Sequence, residues 1–463
     1  MKTPTAPSGL LALNEAQWRD IGCRLDRLAA NAPSGALLTV TLPLGHGDTC
    51  NAGHDWLDRQ PKAAEVCYWS QADSGSHRLG LGRAVVCTSA GPARFTALQA
   101  AFNGIAQQWL HDAGGTDFQP FACIGFAFDD DSADVLPNAQ LGVAAVVLDN
   151  QHGALRASFT TPAREAATAV ARWQALLTAE PGEPQRPVVG HLADPTLAQR
   201  AWQLRVDAAL QAIADGKVRK LVLSRSRRLS LADDRVGAAL LRRLLSQHRE
   251  STVFAMGTAK GFFCGATPER LLAFRDGEVQ TDALAGTAWG EAELAIDKNL
   301  REQQLVVEAI RASLLPLCRT LDVPPAPTVM HLRELQHLHT PISGHTHAGV
   351  GLFDLLARLH PTPAVGGWPT APAREWLRHH DERRPGWYGG GFGWIDRAGN
   401  GEIAVALRCG LITPGRIELS AGAGIVAGST AAHEFDETEA KLGTMLAALR
   451  DADAGTQQTG TRG

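Results

Sequence analysis

The stretch GEIAVALRCGLITPGRIELSAGAGIVAGSTAAHEFDETEAKLGTMLAAL, Gly401–Leu449, decides the reading of this chain. From Glu402 to Leu411 the side chains alternate. Ile403, Val405, Leu407, Cys409 and Leu411 form one face, and Glu402, Ala404, Ala406, Arg408 and Gly410 the other, the period of a strand. Small neighbours leave space around Arg408, and a guanidinium grips a carboxylate through two donors. A structural ion pair fits the same pattern. Thr413-Pro414-Gly415 turns the chain into a second strand, Arg416–Ala421. Ala421-Gly422-Ala423-Gly424 reads as a turn whose N–H groups can face an anion, or as a plain tight bend. His433–Leu449 reads as a helix. On it Glu434, Glu437 and Lys441 fall at i, i+3 and i+7, and Met445 and Leu449 continue that face. Two carboxylates and an amine thus lie on the line that enters the core. A solvated first turn with one Glu–Lys pair is the plainer alternative.

Upstream, Ala292–Leu315 reads as one long helix in which Glu302, Val306, Ile310 and Leu314 are spaced by four. A carboxylate on an apolar stripe is costly unless it is paired, metal-bound or able to reach water. Two inward carboxylates from separate helices suit a hard cation such as Mg²⁺. Leu221-Val222-Leu223 is the centre of a buried strand opened by Lys220, after a helix Thr196–Ala214 stopped by Asp215-Gly216. Val253–Met256 and Gly261–Ala266 are strands, and Leu271–Phe274 pairs with Glu278–Thr281 across Arg275-Asp276-Gly277. Thr267-Pro268-Glu269 follows a strand end. A Lys and a Glu across a pocket form a base and acid pair once their pKa values shift; taken singly, a surface role fits either residue.

The Pro- and Gly-rich segment Glu180–Asp194 reads as a linker. It divides residues 1–190, where strands (Leu37–Leu42, Ala84–Thr88, Gly142–Leu148) mix with helices (Leu13–Ala30, Arg94–Trp109, Pro162–Ala179), from the denser 191–450. Residues 451–463 read as a disordered tail.

Only seven of the 44 basic residues are Lys. Where Arg supplies the ordinary surface cations, an interior Lys needs a reason, because Lys can lose its proton and Arg cannot. A formal charge of −4 gives no basic surface for nucleic acid or anionic membrane. The N-terminus lacks the apolar core of a signal peptide and no apolar run has membrane length. The eight Cys show no zinc spacing and read as reduced structural thiols in a cytoplasmic protein. The HxH of His345 and His347, near His337 and His339, has no matching carboxylate motif and reads as loop and packing. Gly389-Gly390-Gly391 lacks the strand and helix context of a nucleotide site.

Together these segments resemble the chorismate-utilising enzymes, which include the isochorismate, salicylate, anthranilate and aminodeoxychorismate synthases. The matching stretches are KLVLSR (Lys220–Arg225), GATPERL (Gly265–Leu271), ALAGT (Ala283–Thr287), KNLREQQLVV (Lys298–Val307), LQHLHTPISG (Leu335–Gly344), HPTPAVGGWP (His360–Pro369), GGFGW (Gly390–Trp394), GNGEIAVALRCG (Gly399–Gly410) and Ala421–Leu442. They stand in family order, whereas residues 1–190 match loosely. The resemblance implies an α/β fold, a central β-sandwich of antiparallel-rich sheets flanked by helices. It implies Mg²⁺ on Glu302 and Glu437 with Glu434 close by, holding the ring carboxylate of chorismate. Arg408, Lys441 and the Gly422 backbone would bind the enolpyruvyl carboxylate, and Ala285, Gly286, Thr287 and His337 would line the ring pocket. Lys220 would be the base that activates water for attack at C2, and Glu269 the acid that protonates the departing C4 hydroxyl.

Ammonia-using members resemble this chain but carry Gln where Lys220 stands, so the resemblance points to water as nucleophile and to no glutaminase partner. Ala285 replaces the Lys of the aminodeoxychorismate type. The expectation is therefore a monomeric isochorismate synthase serving siderophore or menaquinone synthesis. Its alternatives are a salicylate synthase that releases pyruvate, or an inactive chorismate-binding paralogue. Gln303 and Asn299 stand where the family has His and Asp.

Overall fold

The computed structural model describes residues 11–46, 57, 65–132, 134–178, 189–191, 195–231, 236–333 and 335–454. Within them the strands form two sheets, one of 13 strands and one of 10. Pairing is antiparallel except where Leu37–Val40 runs beside Trp109–Asp112. The two sheets pack face to face, and period-two alternation sorts the side chains of each strand to two different cores. In the strand Thr252–Thr258, Phe254 and Met256 join the aromatic core between the sheets, while Val253 and Ala255 face the helices outside. In Phe121–Phe126, Phe121 and Cys123 point inward, while Ala122, Ile124 and Phe126 point outward. A strand covered on both faces is apolar throughout; the first of these is legible from sequence over Val253–Met256, whereas Phe121–Phe126 was not expected as a strand.

Helices Glu15–Ala29, Ala166–Thr178 and Gly237–Gln247, with the C-terminal helix Ala431–Ala454, cover the larger sheet. Arg94–Gln107, Asp297–Leu314 and Leu352–Leu359 cover the smaller one. No helix among the described residues is long and apolar enough to cross a membrane. Most of the expected linker and the end of the tail lie outside the described residues, but Val189–His191 pairs with Leu229–Leu231. The halves on either side share both sheets: Thr252–Gly257 pairs with Val66–Gln71, and Gly391–Asp396 with Phe121–Phe126.

The chain passes from one sheet to the other at corners, and three of these correct the sequence reading or refine it. The expected strand Gly142–Leu148 is two strands, Ala139–Val143 and Val146–Gln151, one in each sheet. The expected strand Glu402–Leu411 likewise divides into Gly401–Val405 and Cys409–Thr413, in different sheets. Alternation persists in the letters through Ala406–Arg408 while the backbone turns there. The third corner, Pro268-Glu269, joins Gly261–Thr267 to Arg270–Arg275. The last two corners touch: Val405 N–H donates to Glu269 O, and Ala266 N–H to Arg408 O.

Three further expectations change. The helix expected over Ala292–Leu315 breaks into Glu291–Leu294 and Asp297–Leu314, because Ile296 is extended (φ −70°, ψ 138°) and caps the second piece. Ala421–Gly424 is no turn; it continues the strand Arg416–Ile425, paired with Leu221–Ser230. Not all the cysteines are reduced either: Cys67 and Cys123 form a disulfide. They lie on facing strands of the two sheets, 56 residues apart in sequence, a proximity that no local spacing encodes.

Candidate active site

The site lies at the seam where these corners meet. Ten of the twelve expected residues line one cavity there: Lys220, Glu269, Ala285, Thr287, Glu302, His337, Arg408, Gly422, Glu437 and Lys441. Gly286 and Glu434 stand behind its wall. Gly286 (φ 66°) makes the bulge between Ala285 and Thr287 that sets Thr287 opposite His337. A side chain there would press on the Asn299 carbonyl. Of the HxH residues expected in a loop and in packing, His345 lies on the strand Gln336–Thr346 and His347 just beyond it; both are exposed and neither lines the cavity.

Arg408 enters the cavity from a corner. Its φ is 47°, a left-handed conformation that costs an L-residue roughly 1 kcal/mol. Its guanidinium donates to Thr444 Oγ1 (3.2 Å) and to His337 Nε2 (3.3 Å). Arginine has no acceptor, so Nε2 must carry the lone pair. The His337 proton is therefore on Nδ1, which donates to Thr287 Oγ1 at 3.1 Å. Burial, with Arg408 and Lys441 nearby, holds the His337 pKa well below its usual value and keeps the ring neutral.

Three carboxylates meet three amines. Lys220 Nζ, on a side chain 1% exposed, lies 2.9 Å from Glu302 Oε1. Lys441 Nζ reaches Glu437 Oε1 at 2.5 Å and the Gly422 carbonyl at 2.9 Å. Lys298 Nζ, not anticipated from sequence, holds Glu434 Oε1 at 2.6 Å. Burial raises the Glu437 pKa, but Lys441 outweighs it and holds the group below its usual value. Burial and the neighbouring Glu437 push Glu434 up despite Lys298. Glu269 differs: it is buried, has no ion-pair partner within reach, and is pushed up to about 8 by burial, Lys220 pulling the other way. At neutral pH it is a proton donor.

The strand floor is shaped by missing side chains. A Cβ on Gly424 would collide with Glu302 Oε1 and lie 2.9 Å from Lys220 Cε. One on Gly422 would lie 2.8 Å from the Tyr388 hydroxyl. The neighbouring strand Cys409–Thr413 begins only opposite Ser420, so beyond it this strand edge opens on the cavity. Two further lining residues went unnoticed in the sequence. Arg384 donates to the carbonyls of Val365 and Val222 and lies 3.7 Å over the Phe128 ring. Tyr388 is one of only two tyrosines in the chain, and that scarcity was its available signal. Gln303, where the family has His, donates to Ala283 O and Thr340 Oγ1, and Asn299 donates to Glu293 O; both brace the helix that carries Glu302.

The donor set fits a divalent cation. The ligating atoms of His433, Glu434 and Glu437 all lie within 4.8 Å of one another, and Glu434 Oε2 is buried with no hydrogen-bond partner among the described residues. Glu302 faces them from the Asp297–Leu314 helix, turned toward Lys220.

Residues 26–450 match the chorismate binding enzyme family. The chain is 34% identical over 418 residues to the salicylate biosynthesis isochorismate synthase of Pseudomonas aeruginosa, covering 85% of this chain and 86% of that one. It is 36% identical over 259 residues to the isochorismate synthase MenF of Bacillus subtilis, covering 54% of this chain and 55% of that one. Its fold is similar to the solved structure of the menaquinone-specific isochorismate synthase MenF of Escherichia coli (TM-score 0.75, 26% identity, 93% of this chain and 99% of that one). The collinear motifs, the sandwich with its seam cavity and these matches lead to one conclusion: the chain belongs to the chorismate binding enzyme family.

Proposed function

We propose that this protein is an isochorismate synthase that uses Mg²⁺ to add water at C2 of chorismate and release the C4 hydroxyl. The observation that carries this reading is the pairing, in one cavity, of a buried Lys220 with a carboxyl, Glu269, that burial keeps protonated to about pH 8. The chemistry needs both. The Lys220 amine takes a proton from the attacking water, and Glu269 gives one to the leaving hydroxyl. One water enters, one leaves, and the two conjugated ring double bonds each shift by one position between, so the reaction balances as an isomerisation. The relatives named as isochorismate synthases support the same reading.

The substrate is a dianion. Arg408, aimed by the neutral His337, and Lys441 supply two cations for the side-chain carboxylate. A cation held by Glu302, Glu437 and the nearby Glu434 supplies the counter-charge for the ring carboxylate. For the pathway, the salicylate-biosynthesis relative at 34% identity supports supply of a salicylate-forming lyase, whereas the menaquinone-specific structure, aligned over as much of both chains, is 26% identical.

The test is product analysis of the purified protein with chorismate and Mg²⁺, by chromatography with mass detection and a coupled pyruvate assay. Isochorismate approaching an equilibrium mixture without pyruvate is the expected result, abolished by chelation and restored by Mg²⁺. Salicylate with stoichiometric pyruvate would move the assignment to the lyase. Binding without turnover would mark an inactive paralogue.

A further inference from the structure

His433 stands four residues before Glu437 on the C-terminal helix and so shares its face, with Glu434 next to it in the chain. Its ring nitrogen lies in the same group of ligating atoms, all within 4.8 Å. An octahedral shell with bonds of about 2.1 Å separates neighbouring ligands by roughly 3 Å, so small side-chain movements close this group around one ion. The imidazole is held from the other side by Trp289, whose ring meets it edge-on at 5.2 Å and 86°. Glu434 Oε2 is buried without a hydrogen-bond partner among the described residues, an independent sign that a ligating position of the cluster is open. Lys298 and Lys441 satisfy one oxygen each of Glu434 and Glu437, and neither supplies an electron pair as an ammonium.

We propose that His433 is a nitrogen ligand to the cation bound by Glu434 and Glu437, and that it tilts the site toward first-row transition ions. This deepens the metal reading of the proposed function and rests on it. Mg²⁺ favours oxygen ligands, whereas an imidazole nitrogen adds affinity for Co²⁺ and its neighbours. The site then binds Mg²⁺ through carboxylates alone and Co²⁺ or Mn²⁺ through carboxylates and His433.

The experiment uses the full chain without substrate. Pulsed electron paramagnetic resonance of bound Mn²⁺ is expected to show nitrogen modulation that changes when histidine alone is labelled with ¹⁵N. The modulation is lost in both His433→Ala and His433→Gln. Calorimetric titration is expected to show Co²⁺ affinity falling by at least about tenfold in either variant, with Mg²⁺ affinity changing by less than about threefold. Bound Mn²⁺ without nitrogen modulation, or Co²⁺ affinity unchanged in the variants, would overturn the role of His433 and leave the Mg²⁺ reading standing. Failure of the wild-type chain to bind any of the three ions would sink both.

Discussion

Two of the places where the molecule buries charge use different residues. In the N-terminal half, Asp149 is held by Arg78 and Arg156, each at 3.2 Å, and the Arg78 guanidinium lies 3.9 Å over the Trp394 ring. At the seam, Glu302, Glu434 and Glu437 are held one to one by Lys220, Lys298 and Lys441. The first cluster is built from permanent cations, one of them, Arg78, stacked on aromatic faces, and it lines none of the cavity described above. The second is built from amines that can give up a proton or exchange partners, and it lines a cavity. Three of the chain's seven lysines stand here, and under the proposed function this separates charge that holds the fold from charge that changes during a cycle.

The strongest test of that contrast is Lys220→Gln. Turnover is expected to fall on the order of 10³-fold or more, as loss of a general base requires, with chorismate binding close to wild type and a lowered urea midpoint, because Glu302 loses its buried partner. Near-normal isochorismate formation would remove Lys220 as base. Asp149→Asn should do the opposite. It leaves two buried guanidinium groups undercompensated and is expected to cost about 3 kcal/mol in urea unfolding, with kcat per folded molecule unchanged. A selective loss of kcat would erase the distinction between the clusters.

Glu269 sharpens the comparison through pH. In the proposed reaction it acts in the protonated form, and its pKa is raised to about 8. The acid is present below that value and lost as pH rises through it, so kcat should fall about tenfold per pH unit above 8. Glu269→Gln should be slow at all pH values and lack this limb; a wild-type profile flat to pH 10 would contradict the assignment. The smallest effect expected is that of Lys298→Met. Removing a cation beside the metal carboxylates should tighten Mg²⁺ binding by roughly fivefold in calorimetry. Weaker binding would show that Lys298 organises Glu434 and does not compete for it.

Much of this was legible in the sequence, and the exceptions have physical causes. Helix spacing placed Glu302, Glu434, Glu437 and Lys441, because one helical face sees one environment. Alternation failed at Arg408, because period two in the letters continues across a corner where the backbone changes sheets. Ala421–Gly424 looked like a turn because propensity assigns glycine to bends. Here the glycines clear room in a strand for Glu302 and Tyr388, which arrive from distant segments. Lys298, Arg384 and His433 were passed over because their partners are known only once the chain is folded. The Cys67–Cys123 bond was missed for the same reason.

The left-handed backbone at Arg408 has a genetic corollary. Glycine would adopt φ 47° without penalty, and every arginine codon is a single first-base change from a glycine codon. The more comfortable residue is thus always one mutation away. A lineage that keeps this enzyme working must purge that mutation whenever it arises, even though it relaxes the backbone. Position 408 is therefore a place where libraries selected for thermal stability and libraries selected for turnover should diverge, the first drifting to glycine and the second holding arginine.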